Sequence, residues 1–513
     1  MRIILLLISV ALFAFAPPEK NKTYNIVDFG AAGNGVKLST ENIQAAIDKA
    51  SQDGGGQVIV PAGKFVTGTL ILKSGVDLHL LANAFLLGST NPYDYPYTKS
   101  ILEKTKDENN YIRGLIVAAG QNNISITGKG TIDGRGRTVA LTLDSLFYAG
   151  VLDSSHYNLR RKRPEARPNV LRILDCNNIK ITGVTIKNAT DWVQDYIRCK
   201  NLIIDSIRVE SDAYWNNDGI DVVDCSNVRI TNSYVNSADD GICLKSENKG
   251  YFNDSIYIDN CTVRSSASAV KFGTASVGGF KNVIVKNIRV FDTFRSAIAI
   301  ESVDGGVLEN VLVDGINAVN TGNAIFIRLG HRNRDENVGT LKNVFIRNIK
   351  VEVPFGRPDD KYDLQGPDLP FFHNIFPSSI VGIPGHPVQK VTIENVEISY
   401  PGRGNDGLAI LPLYRLKDVP EVEVGYPEFS MFGELPAWGF YVRHAEGLTL
   451  KNIKVVARDK DYRPAYVFDD VKGLTLTNCA VKEDDNGKQF ILNNVSGEKL
   501  DADKDLVQII APK

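Results

Sequence analysis

A short pattern of polar and aliphatic positions recurs along this chain beyond Gly120. Each copy reads asparagine, aliphatic, any residue, aliphatic, any residue, polar, two further residues and an aliphatic residue. Copies begin at Asn123, Asn178, Asn201, Asn227, Asn282, Asn310 and Asn343, and copies without the asparagine begin at Lys390, Gly447 and Gly473. Alternation of this kind is typical of β-strands, and intervals such as the 23 residues from Asn178 to Asn201 are typical of solenoids. The pattern predicts an all-β fold, a right-handed parallel β-helix whose leading asparagines stack at turns as structural residues.

The N-terminal part of the chain predicts a cap for this solenoid. Ser39 or Thr40 begins an amphipathic helix that ends at Gly54, and its apolar face consists of Ile43, Ala46, Ile47 and Ala50. The segments that follow alternate in the manner of strands. A helix in this place covers the first coil, whose core is otherwise exposed. We therefore expect a capping region over residues 24–90 within one catalytic domain that spans residues 24–500.

Three longer segments interrupt the repeat, at residues 91–110, 353–386 and 401–439, and they are rich in Pro, Gly, Tyr and Phe. Long loops in compact folds are disproportionately functional. We expect these segments to project from the coils, either as surface decoration or as walls of a groove.

Composition excludes several classes of partner. The 58 Lys and Arg residues nearly balance the 60 Asp and Glu residues, and 43% of the chain is hydrophobic. No bulk charge attracts nucleic acid or a membrane surface, so we expect a globular monomer with neither partner. Six cysteines in 513 residues are too few for a disulfide framework. Cys225, Cys243 and Cys261 are expected to be small buried residues.

The first sixteen residues have the features of a secretory signal. Arg2 is followed by an apolar run from Ile3 to Ala16, which ends in the small-residue pattern Ala14-x-Ala16. This run is too short to span a bilayer. We therefore expect a signal peptide over residues 1–16, no membrane insertion, and a secreted or periplasmic protein.

Three aspartates are predicted to converge on one outer face of the solenoid. The segment Asp218-Gly219-Ile220-Asp221-Val222 matches Asp240-Gly241-Ile242-Cys243-Leu244 after a shift of 22 residues. If this shift is one coil, Asp218 lies about 4.8 Å from Asp240 along the stack, with Asp239 beside them. Stacked like charges are destabilising, and one carboxyl should have a raised pKa. Core packing does not require such a cluster, whereas acid–base catalysis does.

Four motifs together resemble the polygalacturonase family, glycoside hydrolase family 28, within the pectate-lyase-like β-helix superfamily. They are D-F-G-A-A-G-N-G at 28–35, G-K-G-T-I-D-G at 128–134, N-N-D-G at 216–219, and the pair Asp239-Asp240. The resemblance implies hydrolysis of galacturonosyl or related bonds in pectic polysaccharides or oligosaccharides, with inversion and without a metal or another cofactor. It also implies that Asp239 is the general acid, that Asp218 and Asp240 hold the water, and that Asn216 lies in the substrate site.

Two further signatures of that family are absent. Ala267–Ala269 stands where the family has Gly-His-Gly, and Ala299–Glu301 stands where it has Arg-Ile-Lys. Candidate replacements that could bind substrate are Lys271, Arg295, Arg328 and His331. Each one alone is more simply a solvated surface residue. We expect at least one of them to bind a substrate carboxylate, a task that suits arginine in particular.

Two alternatives to hydrolysis remain open at this stage. In a β-helix lyase the acidic cluster would bind calcium, and a Lys or Arg would abstract the proton beside the uronate carboxyl. In a non-catalytic glycan-binding solenoid the cluster would have no chemical task. Hydrolysis is favoured because Asn216 precedes Asp218 as it does in the hydrolases. The sequence does not decide the sugar at each subsite or between endo and exo cleavage.

Overall fold

The computed structural model describes residues 22–96, 113–152, 157–158, 163–164, 167–371, 374–405, 411–482 and 487–510. Most of these residues form the predicted right-handed parallel β-helix, in which three parallel sheets wind around one continuous apolar core. The predicted signal segment 1–16 and most of the 91–110 insertion lie outside the described residues, so the signal peptide and export stay predictions.

The first sheet contains most of the repeated pattern. Its strands are Thr23–Asn25, Gly56–Val60, Val76–Leu80, Asn122–Gly128, Asn177–Thr182, Lys200–Asp205, Ser226–Thr231, Asn253–Asp259, Gly279–Ser302, Val307–Leu329, Thr340–Glu352, Val388–Tyr400, Thr449–Ala457, Thr475–Lys482 and Lys499–Asp501. The strands Gly279–Ser302 and Val307–Leu329 are long enough to continue through the second and third sheets.

The second and third sheets complete each coil. The second contains Asn34–Leu38, Gly63–Thr67, Ala84–Gly88, Thr131–Asp133, Thr185–Lys187, Arg208–Ser211, Tyr234–Ser237 and Thr262–Ser265. The third contains Leu70–Ile71, Gly114–Ala119, Asn169–Leu174, Gln194–Ile197, Ile220–Val223, Ile242–Ser246, Val270–Ser276, Ser378–Val381, Phe440–Glu446, Tyr466–Lys472, Phe490–Ser496 and Val507–Ile510. Tyr157–Asn158 and Arg163–Pro164 form a separate antiparallel pair. Short 3-10 turns cover Ile26–Phe29, Pro92–Asp94, Leu413–Asp418 and Lys504–Leu506.

The repeated asparagines stack at turns, as predicted. Asn178, Asn282 and Asn310 have left-handed backbone, with φ of 56°, 55° and 60°. The Nδ2 group of Asn310 donates to Oδ1 of Asn282 at 3.2 Å, and Asn178 donates in the same way to Asn123 at 3.0 Å. Asparagine tolerates this backbone conformation and bonds locally, so the ladder stabilises the turns between coils.

Two α-helices accompany the solenoid within the residues that the structure describes. Helix α1, Thr40–Gln52, is the predicted cap, and the four residues of its predicted apolar face are fully buried. Helix α2, Gly136–Tyr148, was not predicted, and it buries Val139, Ala140 and Leu143. Neither helix has the length and apolar character needed to cross a membrane, and the same holds for every helix in the described ranges.

Two of the predicted insertions pack against each other outside the coils. The 353–386 segment is only partly a loop, because it contains the strand Ser378–Val381. Within the 401–439 insertion the structure describes residues 401–405 and 411–439. Residues 411–439 are called the Tyr426 loop below. Phe376 and Phe429 from these segments join Phe294 of the solenoid in a second apolar cluster. This packing fixes both loops against the same outer surface.

Candidate active site

The three aspartates lie at the turns between the second and third sheets. The buried side chain of Asn217 shapes the first turn, since its Oδ1 accepts from the backbone N–H groups of Ala213 at 3.2 Å and Tyr214 at 3.1 Å. The N–H of Gly219 donates to the carbonyl of Asp240 at 2.8 Å. A Cβ at Gly219 would meet Val235 Cγ1 at 2.4 Å, so the close approach of the coils requires glycine there.

The predicted register between these coils is confirmed. Ile220 pairs with Ile242 in parallel strands, which places Asp218 directly against Asp240. A carboxylate oxygen of each lies within 4.8 Å of the other. The two segments that match in sequence are therefore neighbours one coil apart.

Asp218 is held by a buried lysine. Lys245 Nζ donates to Oδ2 of Asp218 at 2.8 Å. It also donates to Asp221, which lies on the strand that follows the turn. The same ammonium lies 4.4 Å from the ring centroid of Trp192. Burial raises the pKa of Asp218 well above its usual range, although Lys245 opposes that rise.

Asp239 and Asp240 are neighbours with opposite pKa shifts. Burial opposes ionisation of Asp240, but the ammonium of Lys271, 3.0 Å from its Oδ2, holds its pKa below the ordinary value. Burial and the charge of Asp240 raise the pKa of Asp239. Within the described ranges Asp239 forms no ion pair, and it is the most exposed of the three aspartates. Two carboxyls whose environments separate their pKa values are the usual arrangement of a general acid and a general base.

Asn216 positions the carboxyl of Asp239. Its Nδ2 donates to Oδ2 of Asp239 at 3.3 Å, while its Oδ1 accepts from Arg167 at 3.2 Å. The other Oδ of Asp239 accepts from the N–H of Asp240 at 2.9 Å. The buried guanidinium of Arg167 also donates to the carbonyl of Trp215 at 2.6 Å, which fixes the turn.

Comparisons with known proteins identify the family of this chain. The model of glycosyl hydrolases family 28 matches residues 52–357, more than half of the chain. The chain belongs to glycosyl hydrolase family 28. A rhamnogalacturonase A/epimerase, pectate lyase-like model matches residues 23–79. The family resemblance inferred from the four motifs is thus confirmed, and the protein is a glycoside hydrolase.

Individual relatives cover different shares of this family 28 chain. A probable polygalacturonase of Vitis vinifera is 26% identical in an alignment of 408 positions that covers 73% of this chain and 74% of the relative. An exo-poly-α-D-galacturonosidase of Dickeya chrysanthemi is 28% identical in an alignment of 306 positions that covers 52% of this chain and 50% of the relative. The crystal structure of an exopolygalacturonase from Thermotoga maritima is 24% identical with a TM-score of 0.59, covering 75% of this chain and 88% of that one. This structural likeness supports the fold.

The family 28 site brings two of the candidate cations close to the aspartates. The side chain of Lys271 points out of the solenoid, because its neighbours Val270 and Phe272 point into the core. Lys271 is nevertheless only 1% exposed, since Tyr426 covers it and the phenol oxygen lies 3.0 Å from its ammonium. Arg295 lies two coils beyond Asp239, as predicted, and pairs with Glu428 at 3.3 Å.

Arg328 and His331 both hydrogen-bond carbonyls of the protein; the predicted substrate contact is wrong for Arg328, which is buried, and stays a prediction for His331. Arg328 is fully buried, and its guanidinium donates to the carbonyls of Gly382 at 2.8 Å and Glu421 at 2.7 Å. It therefore anchors the Tyr426 loop to the coils. The ring Nε2 of His331 lies 2.8 Å from the carbonyl of Glu336, within a neighbouring loop.

The acidic cluster already contains two cations of its own. Ligand atoms of Asp218, Asp240 and Cys243 lie within 4.8 Å of one another, a spacing that could hold a metal ion. However, Oδ2 of Asp218 binds Lys245 and Oδ2 of Asp240 binds Lys271. A calcium ion here would have to displace two buried ammonium groups. Cys243 is buried as predicted, but beside Asp240 on the outer face, whereas Cys225 and Cys261 are in the core.

Sequence reasoning missed four residues that surround the aspartates and their cations: Asp221, Lys245, Glu301 and Tyr426. Asp221 and Lys245 stand at outward positions of the two matched strands, so strand alternation could have identified them. Glu301 occupies the last position of the missing Arg-Ile-Lys signature. Burial raises its pKa to about 8, against the effect of Lys271, so it is mostly neutral at pH 7.

Proposed function

We propose that this family 28 hydrolase cleaves galacturonosyl or related uronic-acid bonds in pectic polysaccharides or oligosaccharides, by a single displacement with inversion. The observation that carries the proposal is the contrast between two adjacent carboxyls, Asp239 and Asp240. The names of the relatives from Vitis vinifera and Dickeya chrysanthemi support the same class of substrate.

Each aspartate has a distinct role in the proposed reaction. Asp239, whose pKa is raised by burial and by the charge of Asp240, donates a proton to the leaving glycosidic oxygen. Asp240, kept ionised by Lys271, takes a proton from the attacking water. Asp218 orients that water through Oδ1, a buried oxygen that accepts no hydrogen bond from the described side chains or backbone. General acid and base groups of this kind are typically worth about 10²–10⁴-fold each in rate.

The positive charge near the site supports a uronate substrate. A substrate carboxylate beside three aspartates would be repelled unless a cation lies close to it. Lys271 and Arg295 both act on the charges of Asp239 and Asp240. A buried Glu301 that stays mostly neutral at pH 7 does not cancel them.

The two packed loops favour exo cleavage within this function. One coil beyond the Asp239 coil, Ser266 Oγ donates to the carbonyl of Leu364 at 2.7 Å. Two coils beyond Asp239, Glu428 of the Tyr426 loop covers Arg295. Loops therefore cover the outer surface toward the C-terminal coils. In this arrangement one end of the substrate stops at the site.

Product analysis tests both parts of the proposal. Digests of polygalacturonate, rhamnogalacturonan and galacturonate oligosaccharides would be separated by chromatography and identified by mass. Saturated galacturonate released from chain ends, with little loss of polymer viscosity, is expected. Unsaturated products would establish a lyase instead, and an early ladder of oligomers would reject exo cleavage. Failure to cleave any uronate would reject the substrate class.

A further inference from the structure

Lys271, the nearest cation to Asp240, is not accessible to substrate. The lysine side chain is 1% exposed, and its ammonium lies between Oδ2 of Asp240 and the hydroxyl of Tyr426, 3.0 Å from each. Tyr426 itself is 49% exposed. A substrate that approaches this cation from solvent therefore meets the phenol first.

The hydroxyl of Tyr426 is suited to donate a hydrogen bond outward. A phenol oxygen can accept one bond and donate another. Here the oxygen accepts from Lys271, and no described residue accepts its proton. An ammonium bonded to the oxygen withdraws electron density, which makes the O–H a stronger donor toward an anion.

A second cation lies beside the same phenol. The guanidinium of Arg295 is 5.7 Å from the ring centroid of Tyr426. Its Nη2 pairs with Glu428, whereas its buried Nε has no partner among the described residues. Tyr426 therefore presents a donor at the edge of the acid–base site, and Arg295 adds positive charge beside it.

We propose that Tyr426 is a specificity-determining residue that binds the carboxylate of the substrate uronate, together with Arg295, and that Lys271 acts from behind through the phenol. This inference rests on the proposed function and deepens it. It replaces direct contact between Lys271 and the substrate with a contact made by a loop residue. The site should distinguish a free uronate from its methyl ester, which lacks the negative charge.

The Tyr426 loop is anchored firmly enough for such a task. Arg328 holds the carbonyl of Glu421, and Arg443 donates to the carbonyl of Val419 at 2.8 Å. The ring of His444 lies 3.2 Å from the carboxylate of Glu421 through Nε2 and 2.6 Å from Asp470 through Nδ1. Fixed supports of this kind hold a binding side chain in its productive geometry.

The test compares the Tyr426→Phe enzyme with wild type on trigalacturonate and on its methyl ester. Loss of a hydrogen bond to a charged group should lower kcat/KM for the free acid by about 10–100-fold, mainly through KM. The ester should change less than about twofold, because it offers no carboxylate. Tyr414→Phe is the matched control, since Tyr414 is 85% exposed on the same loop, and it should behave as wild type. Unchanged kinetics in Tyr426→Phe, or equal losses on both substrates, would overturn the inference.

A binding measurement separates this inference from the proposed function. Calorimetry would titrate trigalacturonate into Asp239→Asn and into the Asp239→Asn/Tyr426→Phe double variant. Affinity at least 10-fold weaker in the double variant is expected. Equal affinities, or no binding to either variant, would overturn the carboxylate site. Wild-type cleavage of trigalacturonate with equal affinities would reject the Tyr426 role alone, whereas failure of the wild type to cleave any uronate rejects the proposed function itself.

Discussion

Lys271 and Asp240 form an ion pair of 3.0 Å on the outer face of the solenoid, with the lysine almost completely covered. The lysine occupies the column of Cys243, and its neighbour in the next coil is Ala299. The coils that lack the usual Gly-His-Gly and Arg-Ile-Lys signatures therefore still supply a cation to the aspartates. Its charge keeps Asp240 ionised, and any effect on substrate must pass through Tyr426.

Replacing the general acid should abolish turnover without unfolding the chain. Asp239→Asn keeps the size of the side chain and removes the proton that the leaving group needs. We expect kcat to fall by about 10²–10⁴-fold, with an unchanged circular dichroism spectrum. Reducing-sugar assays measure this loss. Wild-type turnover in Asp239→Asn would contradict the acid assignment.

The stereochemistry of the first product reports how water attacks. If Asp239 and the water-binding aspartates act from opposite sides of the bond, their carboxyls should lie about 6.5–9.5 Å apart and the product should be inverted. Proton NMR of the nascent anomer checks this outcome. Chelators should leave the rate unchanged. A rate lost on chelation and restored by calcium would support the lyase alternative.

Removing Lys271 should shift the acid limb of the pH–rate profile to higher pH. Lys271 lowers the pKa of Asp240, so Asp240 in Lys271→Met must reach a higher pH before it ionises. Activity lost at low pH should partly return as the pH rises. Breaking one side of a buried pair also destabilises the fold, by about 3–5 kcal/mol, which thermal melts would measure.

Lys249→Met is the matched control for that experiment, because Lys249 is an exposed lysine paired with Glu336. Its pH profile should match that of wild type. An unshifted acid limb in Lys271→Met would show that the ion pair does not set the ionisation of Asp240.

Glu301 should make the native state less stable as the pH rises. Its pKa is about 8 in the folded protein and 4.5 in the reference state, so the native state binds more protons between these values. Stability attributable to this proton is present below about pH 4.5 and is lost as the pH rises through 8. Glu301→Gln should therefore be more stable than wild type by roughly 1–3 kcal/mol at pH 9, with little difference at pH 4.

Thermal melts of both proteins across this pH range test the Glu301 prediction. Glu446→Gln, at an exposed glutamate three coils further along the third sheet, is the control and should show a constant difference from wild type. A Glu301→Gln difference that does not grow with pH would mean that Glu301 ionises normally.

The solenoid and the aspartate cluster could be predicted from the sequence. A strand has only two faces, so a register error would turn every buried side chain toward solvent. The alternation that places Ile220 and Ile242 in the core therefore also places Asp218 against Asp240. The cap formed by helix α1 could be predicted in the same way, because its apolar residues recur with the helical period.

Which outward side chains meet a loop could not be predicted in this way. Periodicity predicts that Lys271 and Arg328 point out of the core, and each was expected either on a solvated surface or in contact with substrate. In the structure an irregular loop covers both side chains. Tyr426, 155 positions further along the chain, covers Lys271, and the carbonyl of Glu421 accepts a hydrogen bond from Arg328. Loop conformation depends on packing such as that of Phe294 against Phe429, and no repeat in the sequence encodes such a contact. The sequence alone therefore determined where the carboxyls stand, and only the tertiary structure decided which cations reach them, since ion-pair partners are set by distance in space.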